Sequence, residues 1–168
     1  MKTFNWPKHS ILAIAIVLTW IKTYVVYHIS FDMKIENVMQ QLILFLNPLS
    51  FLLFIYGVSL FFKSVKARNR YLLITSSVLA VILYANVAFY RFFSDFITLP
   101  VLFQTSNFGD LGASAAESIF LTDVLYFADV VILFVVMKFI VVEKEFGVIK
   151  PAIRKAYFVL AAAVLFLN

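Results

Sequence analysis

The chain has 168 residues, of which 64% are hydrophobic and 14% charged, and a net charge of +5. A soluble domain is roughly half apolar and a quarter charged, so a water-soluble fold of this size has nowhere to hide so much apolar surface, whereas a bilayer does. The positive charges cluster between apolar runs rather than forming a basic stripe, which argues against a nucleic-acid partner, and the lack of cysteine excludes disulfides, thiolate metal sites and a cysteine nucleophile.

Crossing a hydrocarbon core of about 30 Å takes roughly 20 apolar residues in a helix. The first such run is Ser10 to about Ser30. It is too long for a signal-peptide core and no small-residue cleavage site follows, so it reads as a retained signal-anchor helix. A short polar stretch, with Asp32, Lys34, Glu36 and Asn37, leads to a second run at about 38–62. Lys63, Lys66, Arg68 and Arg70 close that run, and a third occupies 71–93. Residues 94–118 carry Pro100, Gly109 and Gly112 and do not read as a spanning helix. They suit an extracellular interfacial segment, or equally a loop packed over the bundle. A fourth run covers about 119–142, and a charged loop with a break near Gly147 and Pro151 follows. A fifth starts at Ala156 and stops at Asn168 after about 13 residues, short of the roughly 20 required. The sequence therefore predicts an all-α, polytopic transmembrane bundle with four complete helices and a truncated fifth, the protein continuing past Asn168.

Lys and Arg in short loops set orientation. Lys2, Lys8, Lys63, Lys66, Arg68, Arg70, Lys144, Lys150, Arg154 and Lys155 fall on one side. The other side has Lys34 and, at a helix end, Arg91, along with Asp32, Glu36, Asp95, Asp110 and Glu117. The N-terminus is expected in the cytoplasm and the fifth helix is expected to run outward.

An ionisable side chain at membrane depth is costly unless it is paired or faces the bundle interior. At about 1.5 Å per residue, Lys22, Asn47, Asn86, Arg91, Asp123 and Asp129 all fall in the outer half, on four different helices. The inner half carries almost no polar group except Lys138, which can snorkel to the cytoplasmic face. Asn86 and Tyr90 are four residues apart and share a helix face, Tyr84 and Arg91 share the neighbouring one, and Thr19 lies one turn from Lys22. Lys22 and Arg91 are suited to a phosphate. Tyr84, Asn86 and Tyr90 are suited to hydroxyl groups, and Asn47, Asp123 and Asp129 to supporting roles. Such a set could bind a lipid headgroup from the outer leaflet. It could equally be structural, with Lys22 and Asp129 a buried ion pair and the asparagines bonded to backbone.

Trp6, Tyr24, Tyr27, Tyr71 and Tyr157 fit interfacial belts. His9 and His28 fall at opposite faces and cannot share a metal. The sequence contains no Gly-rich phosphate loop, HExxH, GxSxG or serine–histidine–acid set, so no catalytic residue, metal site or cofactor is assigned within this chain.

Leu83-Tyr84-Ala85-Asn86-Val87 and Tyr90-Arg91-Phe92-Phe93-Ser94-Asp95-Phe96-Ile97-Thr98 resemble the third helix and following loop of the lipoteichoic acid synthases. Trp20-Ile21-Lys22-Thr23-Tyr24, Leu46-Asn47-Pro48 and Asp123-Val124-Leu125-Tyr126-Phe127-Ala128-Asp129 are similar to that family's first, second and fourth helices. The resemblance covers essentially the whole chain. It implies a Gram-positive cell-membrane protein with five N-terminal helices and an extracellular sulfatase-like domain. That domain would hold the catalytic threonine and a divalent metal, usually manganese. The whole enzyme would transfer glycerol phosphate from phosphatidylglycerol to a polymer on a glycolipid anchor. Implied partners are these lipids, the chain's own extracellular domain, and a second copy or cell-wall machinery. Synthases, primases and other paralogues share a similar membrane region. Two rival readings remain: a passive anchor for the outer domain, and a small transporter or channel subunit, against which the apolar inner half argues.

Overall fold

A computed structural model describes residues 10–98, 119–140 and 150–167. The expectations placed on the N-terminal Lys2, Trp6, Lys8 and His9, on the interfacial segment from 99 to 118, and on the loop residues Lys144 and Gly147 lie outside these. Among the described residues the fold is all-helical. Helix α1 is Ser10–Ser30 and α2 is Val38–Gly57, prolonged by a 3-10 turn at Val58–Phe61. Helix α3 is Val65–Phe93. A 3-10 stretch at Leu121–Phe127 runs into α4, Ala128–Val135, and then into a π turn at Val136–Ile140. Helix α5 is Pro151–Phe166. Three helices, Ser10–Ser30, Val38–Phe61 and Val65–Phe93, are long and apolar enough to cross a membrane.

The fourth run, expected as one complete helix over about 119–142, is in the described residues a 3-10 stretch, a short α-helix and a π turn, and two helix starts also differ from the hydropathy reading. Helix α3 begins at Val65 rather than 71, so Lys66, Arg68 and Arg70 stand in its first turns instead of in a loop. Hydropathy marks where a helix becomes apolar, and the backbone hydrogen-bond ladder starts earlier. For the same reason α5 begins at Pro151 rather than 156. Proline is well placed there, because the first helical turn needs no N–H donor and its φ is already helical.

Local chemistry fixes the other ends. Asn37 caps α2: its backbone is extended (φ −148°, ψ 164°) and its side chain accepts from Gln40 N at 2.9 Å. Ser94 closes α3 in the left-handed region (φ 54°), with its N–H donating to Tyr90 O at 2.8 Å. This residue turns the chain back over the end of the bundle.

The core has two centres. The larger gathers Ile11, Ala15 and Ile16 of α1, Leu52 and Tyr56 of α2, Leu72 of α3, Leu133 of α4 and Ala161 of α5, so every helix contributes. The smaller, at the opposite end, is built on Val26, Phe31 and Val87. Much of the outer surface is large and apolar, including Ile29, Val78, Val81, Val131 and Val159. An aqueous protein rarely exposes such a contiguous surface, but lipid covers it without cost.

Helix α5 lies against α2 at Gly57. A Cβ at that position would come within 2.6 Å of the Tyr157 ring and 3.2 Å of the Phe158 ring. The missing side chain therefore allows the close approach. Tyr157 Oη donates to Leu53 O at 2.8 Å across the same contact, and the Arg154 guanidinium lies 5.0 Å from the Phe61 ring centroid.

Candidate functional site

The polar residues singled out in the sequence do not meet at one point. They form three groups distributed over α1, α2, α3, α4 and the 3-10 stretch before α4.

The first group joins α3 to the 3-10 stretch before α4. Arg91 Nη1 and Nη2 donate to Asp123 Oδ2 and Oδ1, each at 2.8 Å, in a bidentate pair. Asp123 Oδ2 also accepts from Tyr84 Oη at 3.0 Å and from Phe120 N at 2.9 Å. The carboxylate is buried, and four donated hydrogen bonds compensate its lost hydration. Arg91 Nη2 also donates to Tyr126 Oη at 3.2 Å, and Tyr126 Oη lies 2.9 Å from Ser30 Oγ on α1. The guanidinium lies 5.1 Å from the Phe120 ring centroid and 5.8 Å from that of Tyr126. Tyr84 and Arg91 are seven residues apart, two helical turns, and so can reach the same carboxylate.

The second group joins α1 to α4. Lys22 Nζ donates to Asp129 Oδ1 at 2.8 Å, and Thr19 Oγ1 to Asp129 Oδ2 at 3.3 Å. Thr19 Oγ1 is 2.8 Å from Tyr56 Oη, which is 2.6 Å from Ser76 Oγ. A carboxylate only accepts, so the direction of the chain is set: Ser76 donates to Tyr56, Tyr56 to Thr19 and Thr19 to Asp129. Four helices are linked through this line. Tyr56 and Ser76, which the sequence reading did not single out, carry this line. A hydroxyl in an otherwise apolar helix gives little signal, so only the geometry brings them out.

The third group is a cavity of about 620 Å³ between α1, α2 and α3. Thr19 and Leu52 are its most enclosed lining residues, 2% and 3% exposed. Leu44 and Phe51 form one wall and Leu79 and Leu83 the other, while Asn47 and Asn86 line it as well. Pro48, also on the lining, cannot donate to the Leu44 carbonyl, so the ladder of α2 is interrupted beside the cavity. Asn86 Nδ2 donates to Ile82 O at 3.0 Å, and Asn86 Oδ1 accepts from Ile97 N at 3.2 Å. The second bond ties the returning chain after Ser94 to α3. It places Phe96 over the cavity end, 4.8 Å from the Phe31 ring centroid. Tyr90 belongs to this roof: its ring lies 5.0 Å from Phe31 and 5.2 Å from Phe96, and its hydroxyl accepts from Asp32 N at 3.2 Å. Thr19 faces both the cavity and Asp129, and so connects the second and third groups.

His28 Nδ1 lies 2.9 Å from Tyr24 O and its Nε2 3.0 Å from the Gln41 amide nitrogen, in a local α1–α2 contact. Lys138 Nζ lies 5.6 Å from the Phe134 ring and 5.1 Å from that of Phe139. Among the described residues no group of three or more His, Asp or Glu could hold a metal ion.

Among the described residues, an all-helical bundle with three helices long and apolar enough to cross a bilayer, and with the Lys22–Asp129 and Arg91–Asp123 ion pairs joining its segments, defines a helical membrane region. The chain belongs to the lipoteichoic acid synthase N-terminal domain family, whose profile matches residues 1–168. It is 44% identical over 133 residues to lipoteichoic acid synthase-like YvgJ of Bacillus subtilis, covering 79% of this chain and 21% of that protein. It is 44% identical over 137 residues to lipoteichoic acid synthase 2 of the same organism, covering 80% of this chain and 21% of that protein. Against lipoteichoic acid synthase of Staphylococcus aureus (strain USA300) the identity is 34% over 126 residues, 75% of this chain and 19% of that protein. The chain thus spans about a fifth of the length of these relatives. No solved structure matches it.

Proposed function

We propose that this chain is the membrane region of a lipoteichoic acid synthase-like glycerophosphotransferase. In this reading it spans the membrane several times, N-terminus in the cytoplasm, and carries an extracellular catalytic domain that supplies the metal, manganese by family resemblance. The region does more than anchor. It binds phosphatidylglycerol or the glycolipid-linked polymer in its outer half and holds it near the extracellular active site.

The observation that carries this reading is the concentration of built polar structure at one end of the bundle. A passive anchor needs apolar helices and packing, yet this one invests two charge pairs, two buried carboxylates and a lined cavity in the same region. Arg91 is set in a fixed plane by Asp123 and Tyr84. A lipid phosphate shares that guanidinium with Asp123 or, in the separate α1–α4 group, the Lys22 ammonium with Asp129. Asn86, Tyr84 and Tyr90 supply hydrogen bonds to glycerol hydroxyls, and Asn47, Asp123 and Asp129 support them.

The test uses the full-length protein. Arg91→Ala alone would orphan Asp123, so the informative variant is Arg91→Ala with Asp123→Ala, which removes both charges together. At normal protein levels this double variant is expected to lose most polymer synthesis. Unchanged synthesis would reject a role for Arg91.

A further inference from the structure

The cavity has three features that together restrict what can occupy it. Its deep end is closed by Thr19 and Leu52, 2% and 3% exposed. Its rim includes Phe51 and Ile82, 55% and 52% exposed, one on α2 and the other on α3. The space therefore opens sideways, between two helices and onto the apolar outer surface. The end next to the Ser94 turn is roofed by Phe31 and Phe96, held by the Asn86–Ile97 bond and that turn. A water-soluble ligand arriving from above would meet aromatic rings. A molecule already lying in the membrane meets an open side.

The chemistry of the lining agrees. Most of it is hydrocarbon, from Leu44, Leu52, Leu79 and Leu83. The carboxamides of Asn47 and Asn86 and the hydroxyls of Thr23 and Tyr27 add hydrogen-bonding groups. The Asn86 amide has two N–H donors. One goes to Ile82 O, and the other has no acceptor among the described residues. A lipid tail is as apolar as the slot, so burial of hydrocarbon gives no net drive within a bilayer. Packing and polar contacts must decide occupancy. Hydrocarbon walls with amide donors among them fit a fatty-acyl chain and the ester carbonyl at its head.

We propose that the cavity is a lateral slot for one acyl chain of a diacyl lipid, entering between α2 and α3, with the Asn86 amide donating to the ester carbonyl. The proposal deepens the lipid-binding reading above and rests on it for the placement of this end of the bundle in the outer leaflet. It differs in what it asks of the headgroup: the slot reads the tail and the ester, with Asn86 on the ester carbonyl instead of a glycerol hydroxyl, so diacylglycerol fits as well as phosphatidylglycerol. The lipid's phosphate then projects past the roof and is left to other groups.

The experiment uses the full-length protein in nanodiscs of phosphatidylglycerol and phosphatidylcholine. Three photoactivatable probes are compared: phosphatidylglycerol with a diazirine in one acyl chain, phosphatidylglycerol with a diazirine in the headgroup, and diacylglycerol with an acyl diazirine. Labelled peptides are mapped by mass spectrometry. The two acyl probes are expected to label residues 44–52 and 79–86 in preference to the lipid-facing Val131 and Val159. Leu83→Trp, which fills the slot, is expected to bring that labelling down to the level of those lipid-facing positions. Val78→Trp, on the outer surface, is expected to leave it unchanged. Asn47→Leu with Asn86→Leu should weaken it.

Labelling spread evenly over the exposed surface and insensitive to Leu83→Trp would overturn the proposal, as would preferential labelling of the walls by the headgroup probe. Acyl labelling that persists in the Arg91→Ala, Asp123→Ala double variant while polymer synthesis is normal would support the slot and separate it from the headgroup role of Arg91.

Discussion

The Arg91 guanidinium and the Asp123 carboxylate face each other across two parallel hydrogen bonds of 2.8 Å, with side chains 25% and 5% exposed. Arg91 stands in the last turn of α3 and Asp123 in the 3-10 stretch before α4, so this pair fixes the end of α3 to that stretch. The exposed portion of the pair lies on the arginine. The acid is enclosed.

That asymmetry predicts unequal single substitutions. Asp123→Ala leaves a mostly enclosed cation, and Arg91→Ala leaves a buried carboxylate with only Tyr84 and the Phe120 N–H. Breaking one partner of a buried pair costs about 3 kcal/mol or more. Both single variants should lower the thermal transition in detergent, Arg91→Ala more than Asp123→Ala. A double-mutant cycle should return a coupling of about 1–2 kcal/mol, the upper range for polar contacts in membrane bundles. Additive single effects would mean the pair contributes nothing to helix packing.

Lys22 and Asp129 should behave as a second, separate unit. Lys22→Met with Asp129→Leu replaces the buried pair by apolar side chains of similar size, which is often neutral or stabilising. Asp129→Leu alone leaves Lys22 without its carboxylate and should be clearly destabilising, by about 3 kcal/mol. Thr19→Val removes the donor that links Asp129 to Tyr56 and should cost about 1 kcal/mol. Unfolding midpoints of the three variants, compared in one detergent, test the ranking.

Helix α5 is held to α2 by a contact that tolerates no side chain at Gly57. Gly57→Val drives a branched side chain into the Tyr157 and Phe158 rings, and overpacking of this kind costs about 1–3 kcal/mol. The chain lacks cysteine, so Phe54→Cys and Phe158→Cys can be introduced together as a reporter. Their rings are 6.2 Å apart at the centroids. Oxidative cross-linking should be efficient in the otherwise native protein and markedly reduced with Gly57→Val. Equal cross-linking in both would show that α5 stays docked.

Pro48→Ala restores a backbone N–H to α2 beside the cavity. In an intact helix proline costs about 3 kcal/mol relative to alanine, so the substitution should raise the unfolding temperature if α2 relaxes to a regular helix. The same closure should narrow the space lined by Leu44 and Pro48 and reduce acyl-probe labelling. Higher stability with unchanged labelling would mean that the interrupted ladder is unrelated to the cavity.

Much of this arrangement is legible in the sequence, and the reasons it is not all legible are physical. Apolar length marks α1, α2 and α3, because a bilayer demands satisfied backbone groups over its full thickness. The starts of α3 at Val65 and α5 at Pro151 are hidden, because their first turns carry Lys66, Arg68, Arg154 and Lys155 and score as loops. Depth counting finds the intramembrane charges but leaves their partners open. Asp129 could have held Lys22 or Arg91, and the structure allots Asp129 to Lys22 and Asp123 to Arg91. The cavity is not legible at all. It depends on how far α2 and α3 stand apart and on the turn at Ser94, neither of which has a hydropathy signature.

The claim that this region takes part in lipid handling, beyond tethering, is tested most directly by replacing it. In the full-length protein, residues 1–168 are exchanged for an unrelated helical anchor of the same topology, and lipoteichoic acid made in cells is measured at matched protein levels. The account predicts that polymer synthesis collapses although the outer domain remains at the membrane. Synthesis at the level of the unaltered protein would contradict it and leave the helices as an anchor alone.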